Sequence, residues 1–416
     1  MEYDLAPESS ISVYVHIPFC TSRCRYCDFS VVTGASPRMI NLTLDRTLEE
    51  ASWYVERMGR PRIRTIYIGG GTPSLIAPER LARFLEGLTQ RLGVDGSLEE
   101  WTIEANPETV TADFLAAASA AGVDRLSLGI QSFQDRLLRR LGRRANAARI
   151  DAALECIAAH WSGRLTVDVI TGTPAQTLID LDDDLTRLAA LAPGHVSLYS
   201  LTIEPGTPLA RAIERGSVTP LPGELQDELW IAARDRLVAI GYRWYEVSNF
   251  ALPGCESKHN AVYWRSEPYL GLGPGAVGTV RAVDPTNSTL TVRLTNPDMS
   301  VYAAAAGDAW TRDVEVIDAR TLLFEHFMLG LRTEEGVHLG RLASVFGLDE
   351  TSVVALLRRC PELWIHIDPC SLREGRVALQ PDGRLLADGL LASFFPVIDG
   401  SGVPDCPPDP FSQPDP

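Results

Sequence analysis

Short apolar blocks recur along the first half of the chain, each followed by a longer amphipathic stretch. Six β-rich runs stand out: Ser12–Ile17, Thr65–Gly70, Trp101–Ala105, Arg125–Ile130, Leu165–Ile170 and His195–Thr202. Between or after them the spacing of apolar residues turns helical, over Pro37–Met58, Pro78–Leu92, Thr111–Ala121, Ala145–Ala159, Asp180–Ala190 and Glu224–Ile240. Strand and helix in strict alternation predict parallel β/α units. Six units suit an α/β partial barrel, with a doubly wound open sheet as the alternative. In both, ligand-binding residues belong at the C-terminal ends of the strands.

After Gly241 the pattern changes. Tyr242–Thr295 mixes aromatics and glycines in strand-like pieces and turns, and an amphipathic helical region follows from Ala319 to Phe395. Within it, Leu339–Phe346 and Ser352–Arg358 read as paired short helices. The last residues are rich in Pro, Asp, Gly and Ser, a composition that favours disorder. The expected division is an N-terminal tail (1–10), a barrel (11–241), a connecting region (242–318), a smaller C-terminal helical domain (319–395) and a disordered tail (396–416).

Composition narrows the class. With 45% hydrophobic and 22% charged residues, the 416-residue chain is ordinary for a globular protein. A net charge of -16 argues against a nucleic-acid surface. No apolar run approaches the roughly 20 residues of a transmembrane helix, and the acidic N-terminus lacks a signal-peptide core. A cytoplasmic, reducing location is expected. There, clustered cysteines more often bind metal than pair with one another.

Three of the eight cysteines are clustered, in His16-Ile-Pro-Phe-Cys20-Thr-Ser-Arg-Cys24-Arg-Tyr-Cys27-Asp-Phe29. The spacing C-x3-C-x2-C follows an apolar strand. Three thiolates on one loop can hold three irons of a [4Fe–4S] cluster and leave the fourth open. A structural zinc site would need a second cysteine pair, which the sequence lacks. The next strands carry companions at their ends: Gly69-Gly70-Gly71-Thr72-Pro73, Glu104 in Ile-Glu-Ala-Asn, Gln131 in Gly-Ile-Gln-Ser-Phe, and Asp168. In register with the cysteine loop, they describe the rim of one pocket.

Together these motifs resemble the radical S-adenosylmethionine (SAM) superfamily. More narrowly, they resemble the branch that holds oxygen-independent coproporphyrinogen III oxidase and a related heme chaperone. The resemblance implies that Cys20, Cys24 and Cys27 ligate the cluster as its metal ligands. It implies that Tyr14 and the backbone of Gly70, Gly71 and Thr72 hold the methionine end of SAM. It also implies that Glu104, Gln131, Arg143 and Asp168 contact SAM or a second SAM, and that Tyr26 packs on the adenine side. Arg143 lies in a run with Arg139, Arg140 and Arg144, where a solvated arginine is the simpler reading of the residues.

Within the branch, the oxidase carries a fourth cysteine two residues after the third, where this chain has Phe29. The run His259-Asn-Ala-Val-Tyr263-Trp264 matches the chaperone signature H-N-x-x-Y-W. The residue types alone fit a hydrogen-bonded core histidine with packing aromatics; the resemblance adds a heme role for His259, Tyr263 and Trp264. Ala145 and Val277 stand where relatives often have histidine. The expected function is a heme chaperone with a [4Fe–4S] cluster and SAM. Its partners would be heme, an apo-hemoprotein acceptor such as a membrane cytochrome, and an external electron donor. The alternatives are radical oxidative decarboxylation in porphyrin biosynthesis and, more remotely, a zinc protein.

Overall fold

A computed structural model describes residues 4–304 and 312–400. The first half is β1 (Ser10–Ile17), α1 (Pro37–Arg57), β2 (Arg62–Gly70), α2 (Pro78–Leu92), β3 (Glu100–Ala105), α3 (Ala112–Ala121), β4 (Arg125–Gln131), α4 (Ala147–His160), β5 (Arg164–Thr171), α5 (Leu178–Leu191), β6 (His195–Ser200) and α6 (Gly223–Ala239). Each of the six expected strands and six expected helices is present. Strands β1 to β6 lie side by side in chain order, and every neighbouring pair is parallel. A doubly wound sheet reverses its strand order partway; this one does not, so the partial barrel is the fold.

Period-two alternation makes the barrel. Ile66 and Ile68, Trp101 and Ile103, Leu126 and Leu128, and Val167 and Val169 join the main apolar core with helix residues such as Phe84 and Leu115. The intervening residues Thr65, Tyr67, Glu100, Glu104, Arg125, Ser127 and Asp168 are polar. They bond to one another across strands, for example Tyr67 to Glu104 and Ser127 to Asp168. The helices cover one face and a polar lumen lies along the other.

The sheet continues through β7 (Asn249–Ala251) beside β6, and through β8 (Tyr269–Leu272), β9 (Val277–Val283), β10 (Thr289–Thr295) and β11 (Asp313–Ile317) beyond β1. Between β7 and β8 a short helix, α7 (Lys258–Trp264), closes the N-terminal end of the barrel. Its first turn is held by Glu100, fully buried at the start of β3. That carboxylate accepts bonds from Ser257 Oγ (3.2 Å), Lys258 N (3.1 Å) and His259 N (3.1 Å). It also pairs with Arg125 at 3.1 Å. Arg125 in turn donates to the carbonyls of Cys255 and Glu256, so one ion pair fixes the chain entering α7.

A second apolar core, from Ile317 to Ile398, organises α8 (Ala319–Gly330), α9 (Leu339–Phe346), α10 (Glu350–Arg358) and α11 (Ala387–Asp399). The paired short helices expected here are α9 and α10. Helix α11 runs past residue 396, where the disordered tail was expected to begin, because Phe394 and Ile398 lie one turn apart and are both buried in this core. The remainder of that expected tail, 401–416, lies outside the described residues.

Replacing Glu100 by Ala leaves Arg125 buried and uncompensated and uncaps α7. The expected cost is about 3–5 kcal/mol, read as a lower denaturant midpoint; an unchanged midpoint would refute this role.

Candidate cofactor site at the barrel rim

The cysteine loop leaves the C-terminal end of β1. It is tied down by Arg25 N to Leu141 O (2.9 Å) and Leu209 N to Arg25 O (2.8 Å). Gly142 lies against Arg25 with φ +73, and a Cβ there would fall 3.1 Å from the Arg25 nitrogen. Cys20, Cys24 and Cys27 are all half-buried, as is Tyr26 between two of them. Tyr26 packs with Leu141, Ile170, Leu201 and Leu209 under the loop.

Arg143 is buried rather than solvated. Its guanidinium donates to Asn106 Oδ1 (2.6 Å) and Gly129 O (2.7 Å) and reaches Cys24 Sγ at 3.6 Å. It therefore joins the ends of β3 and β4 to the cysteine loop and sets a cation beside a thiol. Thr72 Oγ1 lies 3.5 Å from Cys20 Sγ and accepts from Asn106 Nδ2 at 2.8 Å. The donor set fits an iron–sulfur cluster: three thiols from one loop, with a guanidinium beside one of them. Burial pushes the Cys20 and Cys27 thiols up, so loading a metal releases protons. Among the described residues no three His, Cys, Asp or Glu side chains surround a point for a single metal ion.

The amides of the glycine run already have partners within the protein. The Gly70 amide donates to Glu104 Oε2 (3.0 Å), the Gly71 amide to Ile17 O (2.8 Å) and the Thr72 amide to Phe19 O (2.8 Å). None of the three amides is left for a ligand carboxylate. What the run can offer is carbonyl oxygens, which suit an ammonium. Close packing explains the glycines. A Cβ on Gly69 would sit 2.6 Å from the Glu104 carboxyl carbon. One on Gly70, at φ +103, would sit 2.3 Å from the His16 ring.

Below the rim, Glu104 accepts from Tyr67 at 2.7 Å, and burial pushes its carboxyl up. Asp168 accepts from Ser127 at 3.3 Å; burial, and then the Glu104 charge, push it up to about 7. Tyr14 bonds His16 Nδ1 at 2.9 Å, and the other ring nitrogen of His16 meets Ser30 O at 3.2 Å. Gln131 sits at a bulge in β4 with φ +70, a left-handed conformation that a non-glycine residue holds only under strong constraint. The expected rim residues thus converge. Sequence reasoning missed Asn106, Tyr67, His16 and Ser127 as members; all but Asn106 are polar residues at inward positions of apolar strands, which alternation alone marks.

His259, Tyr263 and Trp264 lie at the opposite end of the barrel. His259 is fully buried. Its Nδ1 bonds Thr65 Oγ1 at 2.8 Å and its Nε2 bonds Tyr263 OH at 2.8 Å. Its ring stacks on Tyr67 with centroids 5.3 Å apart. Burial pushes it down to about 3, so it is neutral with both nitrogens in use. Ligation of heme iron by His259 would require breaking one of these bonds. Ala145 is buried in the main core and Val277 opens β9.

A parallel partial barrel with a three-cysteine loop, a glycine run and buried carboxylates at its rim defines a radical SAM protein. The model of the Radical SAM superfamily matches residues 14–188; that class works with a [4Fe–4S] cluster and SAM. The chain is 32% identical to the heme chaperone HemW of Bacillus subtilis, over 92% of this chain and 99% of that one. It is 35% identical to the heme chaperone HemW of Mycobacterium tuberculosis, over 94% and 96%. The chain belongs to the HemW family. Coproporphyrinogen III oxidase from Escherichia coli, described as a radical SAM enzyme, shares the fold with a TM-score of 0.75 at 20% identity, over 93% of this chain and 90% of that one.

Two measurements check the rim. Asp168 holds its proton to a higher pH when folded than when unfolded. The stability this gives is full below about pH 4 and is lost as pH rises through about 7. The Tm of the metal-free protein should therefore fall between pH 5 and pH 8 (about three units), and Asp168→Asn should flatten that fall. Gly69→Ala should push the Glu104 carboxyl off Tyr67 and Gly70 and cost about 1–3 kcal/mol, the loss of a buried hydrogen bond, read as a lower denaturant midpoint; an unchanged midpoint would refute the packing argument.

Proposed function

We propose that this chain is a heme chaperone: it binds heme and passes it to apo-proteins, membrane cytochromes among them, while a [4Fe–4S] cluster and SAM occupy the barrel rim. Cys20, Cys24 and Cys27 are the cluster ligands in this reading, with Arg143 balancing their negative charge. Glu104, Gln131 and Asp168 are set to meet the hydroxyl and ammonium groups of SAM. Tyr14 and the carbonyls of Gly70 and Gly71, with Thr72, border its methionine end, and Tyr26 its adenine side. An external donor supplies electrons. The protein acts in the cytoplasm; no helix of the described residues is long and apolar enough to cross a membrane.

Phe29 carries the choice of chaperone over oxidase. It stands two residues beyond the third cysteine, 58% exposed at the rim, where the oxidase branch has a fourth thiol. The end-to-end similarity to HemW proteins supports the same side.

The test uses anaerobically reconstituted full-length protein. Hemin should give a stable Soret shift, and coproporphyrinogen III with SAM and a reductant should give no decarboxylated product. Cys20→Ser with Cys24→Ser should abolish the iron–sulfide absorption and leave the hemin spectrum in place. No hemin complex in any cluster state would sink the chaperone reading, and product formation would install the oxidase instead.

A further inference from the structure

Asn106 bonds to the partners of two different thiols. It follows directly on the C-terminal end of β3, and its side chain makes two contacts of opposite sense. Its Oδ1 accepts from Arg143 Nη2 at 2.6 Å, and its Nδ2 donates to Thr72 Oγ1 at 2.8 Å. A guanidinium can only donate, so the amide oxygen has to face Arg143 and the amide nitrogen has to face the hydroxyl. The chemistry of its neighbours therefore fixes which way the amide points.

Each partner touches a different cysteine. Arg143 Nη1 lies 3.6 Å from Cys24 Sγ, and Thr72 Oγ1 lies 3.5 Å from Cys20 Sγ. The Thr72 hydroxyl has one proton. Because its oxygen accepts from Asn106, that proton is left for the sulfur, and towards a thiolate the hydroxyl is the donor. Arg143 is held on a second side by Gly129 O at 2.7 Å, and the Glu108 carboxylate at 3.9 Å balances part of its charge. One neutral amide thus aims a hydroxyl and a guanidinium at two of the three sulfurs. The third, Cys27, takes a backbone bond from Phe29 instead.

The surroundings keep Asn106 in place. Its backbone N–H donates to Ser74 Oγ at 3.2 Å, and its carbonyl accepts from Thr109 N at 2.9 Å. On the β4 side Gly129 makes the room: a Cβ there would lie 3.0 Å from Asn106 Oδ1 and 2.8 Å from Gln131 Nε2. Thr72 is 4% exposed and the Arg143 side chain 6%, so water competes little for either donor.

We propose that Asn106 is a positioning residue for the iron–sulfur cluster: it holds Thr72 and Arg143 as hydrogen-bond donors to the Cys20 and Cys24 sulfurs and so sets the reduction potential. The proposal rests on the assignment of the three thiols as cluster ligands and deepens it. A hydrogen bond to a ligating sulfur draws off part of its negative charge. It therefore favours the reduced, more negative cluster and raises the potential. Asn106 touches no sulfur itself and acts only through the two side chains that do.

The experiment measures the midpoint potential of the anaerobically reconstituted cluster, without SAM, by redox titration followed by electron paramagnetic resonance. It compares the full-length protein with Asn106→Leu, Thr72→Val, Thr72→Ser and the double variant Asn106→Leu with Thr72→Val, with thermal melts and iron content to certify folding and loading. Thr72→Val should lower the reduction equilibrium constant about tenfold, a potential about 59 mV more negative for one electron. Thr72→Ser keeps the hydroxyl and should keep the parent potential. Asn106→Leu should lower the potential further than Thr72→Val, since both donors lose their guide, and adding Thr72→Val to it should then change little. A parent-like potential in Asn106→Leu or in Thr72→Val overturns the proposal, and so do single shifts that add in full in the double variant. If Asn106→Leu holds no cluster, Thr72→Val against Thr72→Ser carries the test. Failure of the parent to assemble a cluster is a different result, and counts against the assignment of the thiols itself.

Discussion

The ion pair between Glu100 and Arg125 is the interaction on which the rest is built. Both groups are desolvated at the N-terminal end of the sheet, where removing Glu100 would strand the Arg125 charge; Glu100 itself also meets Arg164 at 3.4 Å. Five of their other hydrogen bonds go to the chain that enters α7. That sets the angle of α7 and brings His259 under Tyr67. Tyr67 then reaches up to Glu104, so the floor also helps to place a carboxyl near the rim.

The two ends of the barrel solve opposite problems. At the rim, a loop carrying three thiols is held open by groups that favour negative charge: Arg143 beside Cys24 and the Thr72 hydroxyl beside Cys20. At the floor, arginines and carboxylates are largely matched: Arg64 with Glu267, Arg265 with Glu335 and Arg281 with Glu8. Between them, the glycine run spends its amides on β1, the loop and Glu104. Its tight packing locates the rim, and ligand recognition falls to carbonyls and side chains.

Much of this was legible in the chain. The six strands and helices follow from alternating periods, and sequential pairing from the regular β/α spacing. The cysteine loop and strand-end residues could be placed on one rim because parallel strands all end on the same side. What could not be read was which partner each polar group takes. Arg143 sits in a run of arginines whose members differ in burial, and only tertiary packing picks one of them out. The H-N-x-x-Y-W run drew attention to His259. Its hydrogen bonds to Thr65 and Tyr263 depend on α7 folding under the barrel, a contact across 194 residues for Thr65. Asn106 carried no spacing signal, because its partners Thr72 and Arg143 lie 34 and 37 residues away along the chain.

Tyr67 has a further consequence. Its hydroxyl bonds Glu104, but it meets His259 only through the faces of the two rings. His259 continues to Thr65 and Tyr263. The hydrogen-bonded chain along the lumen is thus interrupted at a stacked pair, and a stacked pair relays no proton. Among the described residues the side-chain hydrogen bonds around Tyr67 and His259 therefore form two separate sets, one towards each mouth of the barrel.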